Sequence, residues 1–289
     1  MAAGGGVPED GLNVFFVCGA PKSGTTWLQS VLDAHPEVCC SGEGHFVQRF
    51  SLPAAQMINT YNTQLGVEAE QVYEGRPSYQ PVDQDEFDDM VRAFILRRMG
   101  ARAGAETRWI GDKTPAYVKQ LGRLHHLFPR AKILHMVRDP RDVAVSRLGF
   151  EARAGSERDL APGAKDHRKV VEAAIAWWKD AITRVDAFSK AHPGLVHEVA
   201  YRDLHDDPIG TSATLFGFLG VSTGTVQLER IAAQTSFEAM SGRRPGEEDA
   251  SSFLRKGVPG DWRNGLDAES VELIQDQCGE LMRERRFAA

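Results

Sequence analysis

The run Val14-Phe15-Phe16-Val17-Cys18, then Gly19-Ala20-Pro21-Lys22-Ser23-Gly24, then Thr25 to Ala34, limits what this chain can fold into more than any other stretch. Five consecutive apolar residues, mostly β-branched or aromatic, suit a strand covered on both faces, as in a parallel sheet. Thr25 to Ala34 carries Trp27, Leu28, Val31 and Leu32 at helical spacing, with Pro36 just beyond, and predicts a helix. The glycines between the two allow backbone N–H groups to approach an anion at the positive end of that helix. Lys22 adds a point charge, and Ser23, Thr25 and Thr26 add hydroxyl donors. A Walker A loop carries its lysine after the last glycine, whereas Lys22 precedes Gly24. That order argues against an ordinary P-loop kinase.

The strand–loop–helix alternation recurs along the chain. Arg108 to Ile110, Ala131 to Val137 and Leu195 to Ala200 read as further strands. Helices are expected from Arg141 towards Leu148, over Val170 to Phe188, after Pro208 and from Ala268 to Phe287. Trp177 and Trp178 fall at helical spacing and read as core packing. The 289 residues therefore predict one α/β domain with a central, mostly parallel β-sheet flanked by helices. Residues 1–11 are expected to form a flexible N-terminus. Residues 41–107 and 149–168 fit the alternation poorly and are expected to be acceptor-side insertions or a lid.

A net charge of −6 argues against nucleic acid or an anionic membrane as partner, so an anionic ligand needs a local cluster of donors. The four cysteines, Cys18, Cys39, Cys40 and Cys278, have no CxxC spacing and read as reduced thiols. The histidines show no metal-ligand spacing. No stretch is long and apolar enough to span a bilayer, and the acidic Glu9-Asp10 does not suit a signal peptide. A cytoplasmic protein without a metal is the expectation, with a homodimer left open.

Several motifs follow the first loop in order. Arg138 closes the second strong strand in Val137-Arg138-Asp139-Pro140-Arg141-Asp142, and Ser146 lies on the helix after it. An arginine and a serine so placed can hold one phosphate, although Arg138 could equally pair with Asp139 or Asp142. Tyr201 follows a strand, Thr235-Ser236-Phe237-Glu238-Ala239-Met240 offers an aromatic ring for a purine, and Phe253-Leu254-Arg255-Lys256-Gly257 precedes Gly260-Asp261-Trp262.

The loop Pro21 to Trp27 resembles the 5′-phosphosulfate-binding loop of sulfotransferases that use 3′-phosphoadenosine 5′-phosphosulfate (PAPS). The resemblance implies a P-loop-like sulfotransferase fold. It also implies that Lys22, Ser23, Gly24, Thr25 and Thr26 meet the phosphosulfate and that Trp27 packs on adenine. Arg138 and Ser146 match the family's 3′-phosphate motif, and Tyr201 matches its nucleotide-contacting tyrosine. Thr235, Ser236, Phe237 and Met240 match the segment that embraces adenine. Phe253, Leu254, Arg255, Lys256 and Gly257 match the C-terminal motif around the 3′-phosphate. PAPS as donor and 3′-phosphoadenosine 5′-phosphate (PAP) as product follow.

The proton acceptor is where this chain departs from the animal cytosolic pattern. Pro115 stands where the catalytic histidine of a Lys-Thr-His segment would be. Asp112-Lys113-Thr114 instead resembles the acidic-Lys-(Ser/Thr) segment of carbohydrate sulfotransferases, which makes Asp112 the first candidate base and puts Lys113 near the sulfuryl group. Leu32 to Phe46 resembles tyrosylprotein sulfotransferases, which makes Glu43 the second candidate, with His45 third and beside the acceptor. Either carboxylate could be structural instead, Asp112 by ordering a loop and Glu43 by pairing with Lys22 or Lys113. The acceptor is expected to be a small-molecule alcohol or phenol, with a sugar hydroxyl as the alternative. Tyr61, Tyr73, Tyr79 and Phe150 could line its pocket or simply pack. A nucleotide kinase and a non-catalytic nucleotide-binding scaffold are the competing functions.

Overall fold

The computed structural model describes residues 11–155 and 157–287. Most of the expected N-terminal segment, residues 1–10, lies outside them. Five strands form one sheet: β1 (Asn13–Gly19), β2 (Val38–Ser41), β3 (Trp109–Lys113), β4 (Lys132–Val137) and β5 (Val196–Ala200). Their order is β2-β3-β1-β4-β5 and every pairing is parallel. The sheet expected to be mostly parallel is thus entirely so among the described residues. β2 was not expected. Its four residues, VCCS, are too short and too poor in β-branched side chains to announce a strand.

Among the described residues, twelve helices connect and cover the strands: α1 (Thr25–Asp33), α2 (Leu52–Val72), α3 (Gln84–Met99), α4 (Leu121–Leu127), α5 (Pro140–Arg153), α6 (Lys165–Ala191), α7 (Tyr201–Asp206), α8 (Pro208–Leu219), α9 (Thr225–Gln234), α10 (Phe237–Ser241), α11 (Trp262–Gly265) and α12 (Ala268–Glu284). The period-2 alternation of β1 divides the core. Phe15 and Val17 face the layer built by Leu28, Leu32, Leu215, Phe216 and Ile231, from α1, α8 and α9. Phe16 and Cys18 face the opposite layer, with Val143, Val171, Trp178, Ile182 and Ile274 from α5, α6 and α12. Burial pushes the Cys18 thiol far up, which agrees with a packing role. Close packing leaves no room at Gly111, where a Cβ would stand 2.4 Å from the Phe15 ring.

The long segment 41–107 holds a short π-helical turn, Phe46–Ser51, and the two helices α2 and α3. Only Ala69 of α2 is buried, so this helix carries almost none of the apolar periodicity that would have revealed it. In 149–168, α5 runs on to Arg153 and α6 starts at Lys165, leaving a short connection. No helix among the described residues is long and apolar enough to cross a membrane.

Candidate active site

A cavity of about 540 Å³ opens over the carboxyl ends of the strands, where open parallel sheets bind ligands beside a change in strand order. β1 delivers the glycine loop there, β2 leads to Glu43 and His45, β4 ends at Arg138 and β5 ends at Tyr201. Lys22 has a left-handed backbone, φ 74°, and Gly24 follows at φ 98°. A Cβ on Gly24 would lie 2.6 Å from the Tyr201 ring, so only glycine lets the loop close over that ring. The Lys22 ammonium lies 4.8 Å from the Phe150 ring centroid and 5.1 Å from that of Phe253. Burial, with Arg153, Arg147 and Arg138 nearby, pulls its pKa down to about 8. Those same four cations make this end of the cavity strongly attractive to an anion.

In the same cavity, Arg138 stacks its guanidinium 4.2 Å from the Tyr201 ring and donates to the Val258 carbonyl at 3.2 Å. Its Nε, 3.8 Å from Asp142, has no hydrogen-bond partner among the described residues. The carboxylates around it have other tasks. Asp139 caps α5 and is bound by Arg141, while Asp142 accepts the N–H groups of Gly260 (2.7 Å) and Trp262 (3.0 Å). Asp142 therefore pins the C-terminal loop to α5 and holds Arg255 and Lys256 at the cavity wall. Arg255 pairs with Glu248 at 2.5 Å and with Asp261, and Lys256 pairs with Asp261 at 2.6 Å. Although burial alone would lower the Arg255 pKa, these acidic partners raise it.

Aromatic rings line the same cavity. Trp27 packs edge-on to Tyr201 at 5.1 Å and donates its indole N–H to the Thr235 carbonyl at 2.8 Å. Phe237 lies over Gly257, where a Cβ would come within 2.1 Å of the ring. This close approach is the reason for glycine after Arg255-Lys256.

The carboxylates expected to compete as base occupy unlike places. Asp112 is 1% exposed and does not line the cavity. It accepts from Tyr117 Oη (2.7 Å), Thr114 Oγ1 (2.8 Å) and the Gly44 N–H (2.9 Å). Burial raises its pKa, and these donors only partly offset that. Glu43 lines the cavity with a side chain 44% exposed, and Lys113 Nζ donates to its Oε1 at 2.7 Å. Burial alone would push the Glu43 carboxyl up, but Lys113 and then His45 bring it below the usual range. Lys113, itself 4% exposed, also reaches Thr26 Oγ1 at 3.3 Å and ties the glycine loop to Glu43.

The sequence of the sulfotransferase family matches residues 15–224 as a family profile. The chain belongs to the sulfotransferase family. Among curated sulfotransferases it is 32% identical over 135 residues to a putative protein-tyrosine sulfotransferase of Caenorhabditis briggsae, covering 47% of this chain and 42% of that one. It is 32% identical over 128 residues to human protein-tyrosine sulfotransferase 1, covering 44% of this chain and 32% of that one. The chain thus spans less than half the length of these relatives. Among solved sulfotransferases, mouse SULT7A1 complexed with PAP superimposes with a TM-score of 0.54 at 20% identity, covering 96% of this chain and 86% of that one. The sulfotransferase domain from the curacin biosynthetic pathway gives 0.55 at 17% identity, covering 93% and 98%. These structural likenesses establish the fold.

Nearly all the expected site residues line the one cavity: Lys22, Gly24 to Trp27, Glu43, His45, Arg138, Ser146, Tyr201, Thr235 to Phe237, Met240 and Phe253 to Gly257. Ser23, Asp112 and Lys113 do not. Ser23 is wholly buried under the loop, and its Oγ has no partner among the described residues. From 41–107 only Glu43 and His45 line the cavity, and from the described part of 149–168 only Phe150 does. Tyr61, Tyr73 and Tyr79 are exposed and stand away from it, on α2 and the turn after it. Arg147 lines the cavity but was not expected there. Its signal was its place next to Ser146, one residue into a motif already recognised.

Proposed function

We propose that this chain transfers a sulfuryl group from PAPS to a hydroxyl of a small-molecule acceptor, a phenol or an alcohol. One observation carries this reading: a single cavity gathers Lys22 with the glycine loop and Arg138 with Ser146, Arg255 and Lys256 around the rings of Trp27, Tyr201 and Phe237. That combination of charge and π-face suits an adenine nucleotide that is anionic at both its 5′ and 3′ positions. The buried Arg138 Nε, with no hydrogen-bond partner among the described residues, fits a site completed by such a ligand.

In the transfer, the acceptor oxygen bonds to sulfur in line as the bond from sulfur to the 5′-phosphate oxygen breaks. Lys22 stabilises the charge that gathers on the leaving oxygen. Glu43 takes the hydroxyl proton, since it is the carboxylate that reaches the cavity, and PAP departs. The half-exposed rings of Phe150 and Phe253 beside Lys22 favour an acceptor with an apolar or aromatic body. The relatives named for protein-tyrosine sulfation point towards a phenolic hydroxyl.

Calorimetry with PAP and with ATP, followed by transfer from labelled PAPS to phenol, alcohol, sugar and tyrosyl-peptide acceptors, tests this reading. PAP should bind at least about tenfold more tightly than ATP, because the charge-assisted bonds to the 3′-phosphate are lost with ATP. Equal affinity for the two nucleotides, or PAP binding with no labelled product on any hydroxyl, would refute the proposal.

Binding should also depend on pH through Lys22. With a pKa of about 8 in the empty site, this lysine is partly neutral at mildly alkaline pH. A bound polyanion favours the ammonium, so the complex holds more protons than the free protein. Affinity for PAP should therefore weaken as pH rises above about 8, approaching tenfold per pH unit, with proton uptake visible in calorimetry across buffers. A flat profile across that range would show that Lys22 does not sense the nucleotide.

A further inference from the structure

Glu43 has a second partner whose chemistry the transfer reaction leaves unused. Its Oε1 is held by the Lys113 ammonium at 2.7 Å, and its Oε2 lies 3.2 Å from His45 Nε2. Lys22, from the glycine loop, is the other charged group that feels this carboxylate. Both Glu43 and His45 line the cavity, and the His45 side chain is 19% exposed.

The backbone is built to present the two side by side. His45 is left-handed, φ 48° and ψ 35°, a conformation that costs a non-glycine residue about 1 kcal/mol. It is held there by the bond from its N–H to Thr114 Oγ1 (3.4 Å) and by its carbonyl, which accepts the Arg49 N–H (2.9 Å) at the start of the π-helical turn. Gly44, between them, donates its N–H to Asp112 Oδ2 at 2.9 Å, and a Cβ there would stand 2.5 Å from the Phe46 ring. Buried Asp112 thus anchors the segment. Non-glycine residues held in this region, like π-helical turns, concentrate at functional sites.

We propose that His45 is a positioning residue for Glu43: its neutral ring holds the carboxylate towards the acceptor hydroxyl, and its protonated ring withdraws that carboxylate from proton transfer. The inference rests on Glu43 being the proton acceptor. A carboxylate between one ammonium and one neutral N–H donor keeps a free lone pair and enough basicity to take a proton. Between two full positive charges it is stabilised as the anion, and its basicity falls. Histidine is the side chain that changes charge near neutral pH, so the acid limb of kcat/KM should report His45 rather than Glu43 itself.

His45→Gln tests this, because the amide can still donate to Glu43 but does not titrate. Turnover near neutral pH should fall by about tenfold as positioning loosens, and the acid limb should move to lower pH by about one unit or more. An acid limb left at the wild-type midpoint overturns the proposal. A second measurement does not depend on that variant folding: the ring C2 proton of His45, followed by NMR in the wild-type protein with PAP bound, should titrate at the midpoint of the limb. A midpoint about one unit or more away also overturns it. Glu43→Gln separates the two levels. Undiminished turnover in that variant would overturn the base assignment, whereas loss of turnover beside an unmoved limb in His45→Gln would overturn the role of His45 alone.

Discussion

Lys22→Ala should lower kcat by about 10³-fold, with affinity for PAP reduced about tenfold. In the proposed transfer, the ammonium stands where charge develops on the leaving oxygen. It is already partly stripped of water, among three arginines that make an anion there favourable. A cation so placed contributes more in the transition state than in the ground state, because the leaving oxygen gains charge only as its bond to sulfur breaks. Thermal stability should change little. Lys22 stands on the loop with its charge in the cavity, and alanine inherits the same left-handed backbone, φ 74°. Lys22→Gly relieves that backbone strain and should be as inactive as the alanine variant. Single-turnover sulfuryl transfer measured beside a melting curve is the check. Near-normal turnover in either folded variant would remove Lys22 from the chemistry.

Glu43→Gln and Asp112→Asn should fail in different ways. Removing a general base costs about 10²–10⁴ in rate, and Glu43→Gln should lose that much in kcat. It should melt close to the wild type, since the Glu43 side chain is 44% exposed and the amide can still accept from Lys113. Asp112→Asn acts on folding first. Its carboxylate, 1% exposed, satisfies three donors at once, and an amide replaces one acceptor oxygen with a donor. A lost bond in such a place costs about 1–3 kcal/mol, seen as a lower melting temperature. Its effect on rate should follow from loosening Gly44, and with it the segment that carries Glu43 and His45. Full activity in Glu43→Gln, together with an inactive Asp112→Asn that melts normally, would restore Asp112 as the base.

The two carboxylates also mark where sequence stops being sufficient. Asp112 and Glu43 each stood in a segment resembling a known acidic base, and local pattern could rank them but not orient them. Orientation depends on how β2 and β3 pair. Ser41 lies opposite Asp112 in the register, so the chain leaving β2 passes over β3 and drops Gly44 onto that carboxylate. β2 itself was invisible, because four residues with two cysteines lack a strand pattern. The helix α2 was missed for a related reason, since a helix with one buried residue has no apolar stripe to detect.

What the chain determined by sequence alone is the glycine-loop part of the site. The apolar run of β1, the glycine loop with Lys22 and the start of α1 are contiguous, and each is dictated by short-range chemistry: burial of both strand faces, left-handed backbone at Gly24, and N–H groups free at a helix start. The motifs at Arg138 and Arg255 were legible for the same reason, as compact runs that carry their own turn residues. Tertiary structure alone decided which carboxylate faces the cavity, that Lys113 joins Glu43 to the glycine loop, and that His45 touches Glu43 while Asp112 supports them from below. Apart from the His45–Glu43 contact, those relations join residues 68 to 87 positions apart through strand register and side-chain burial, and neither is written in any local run of residues.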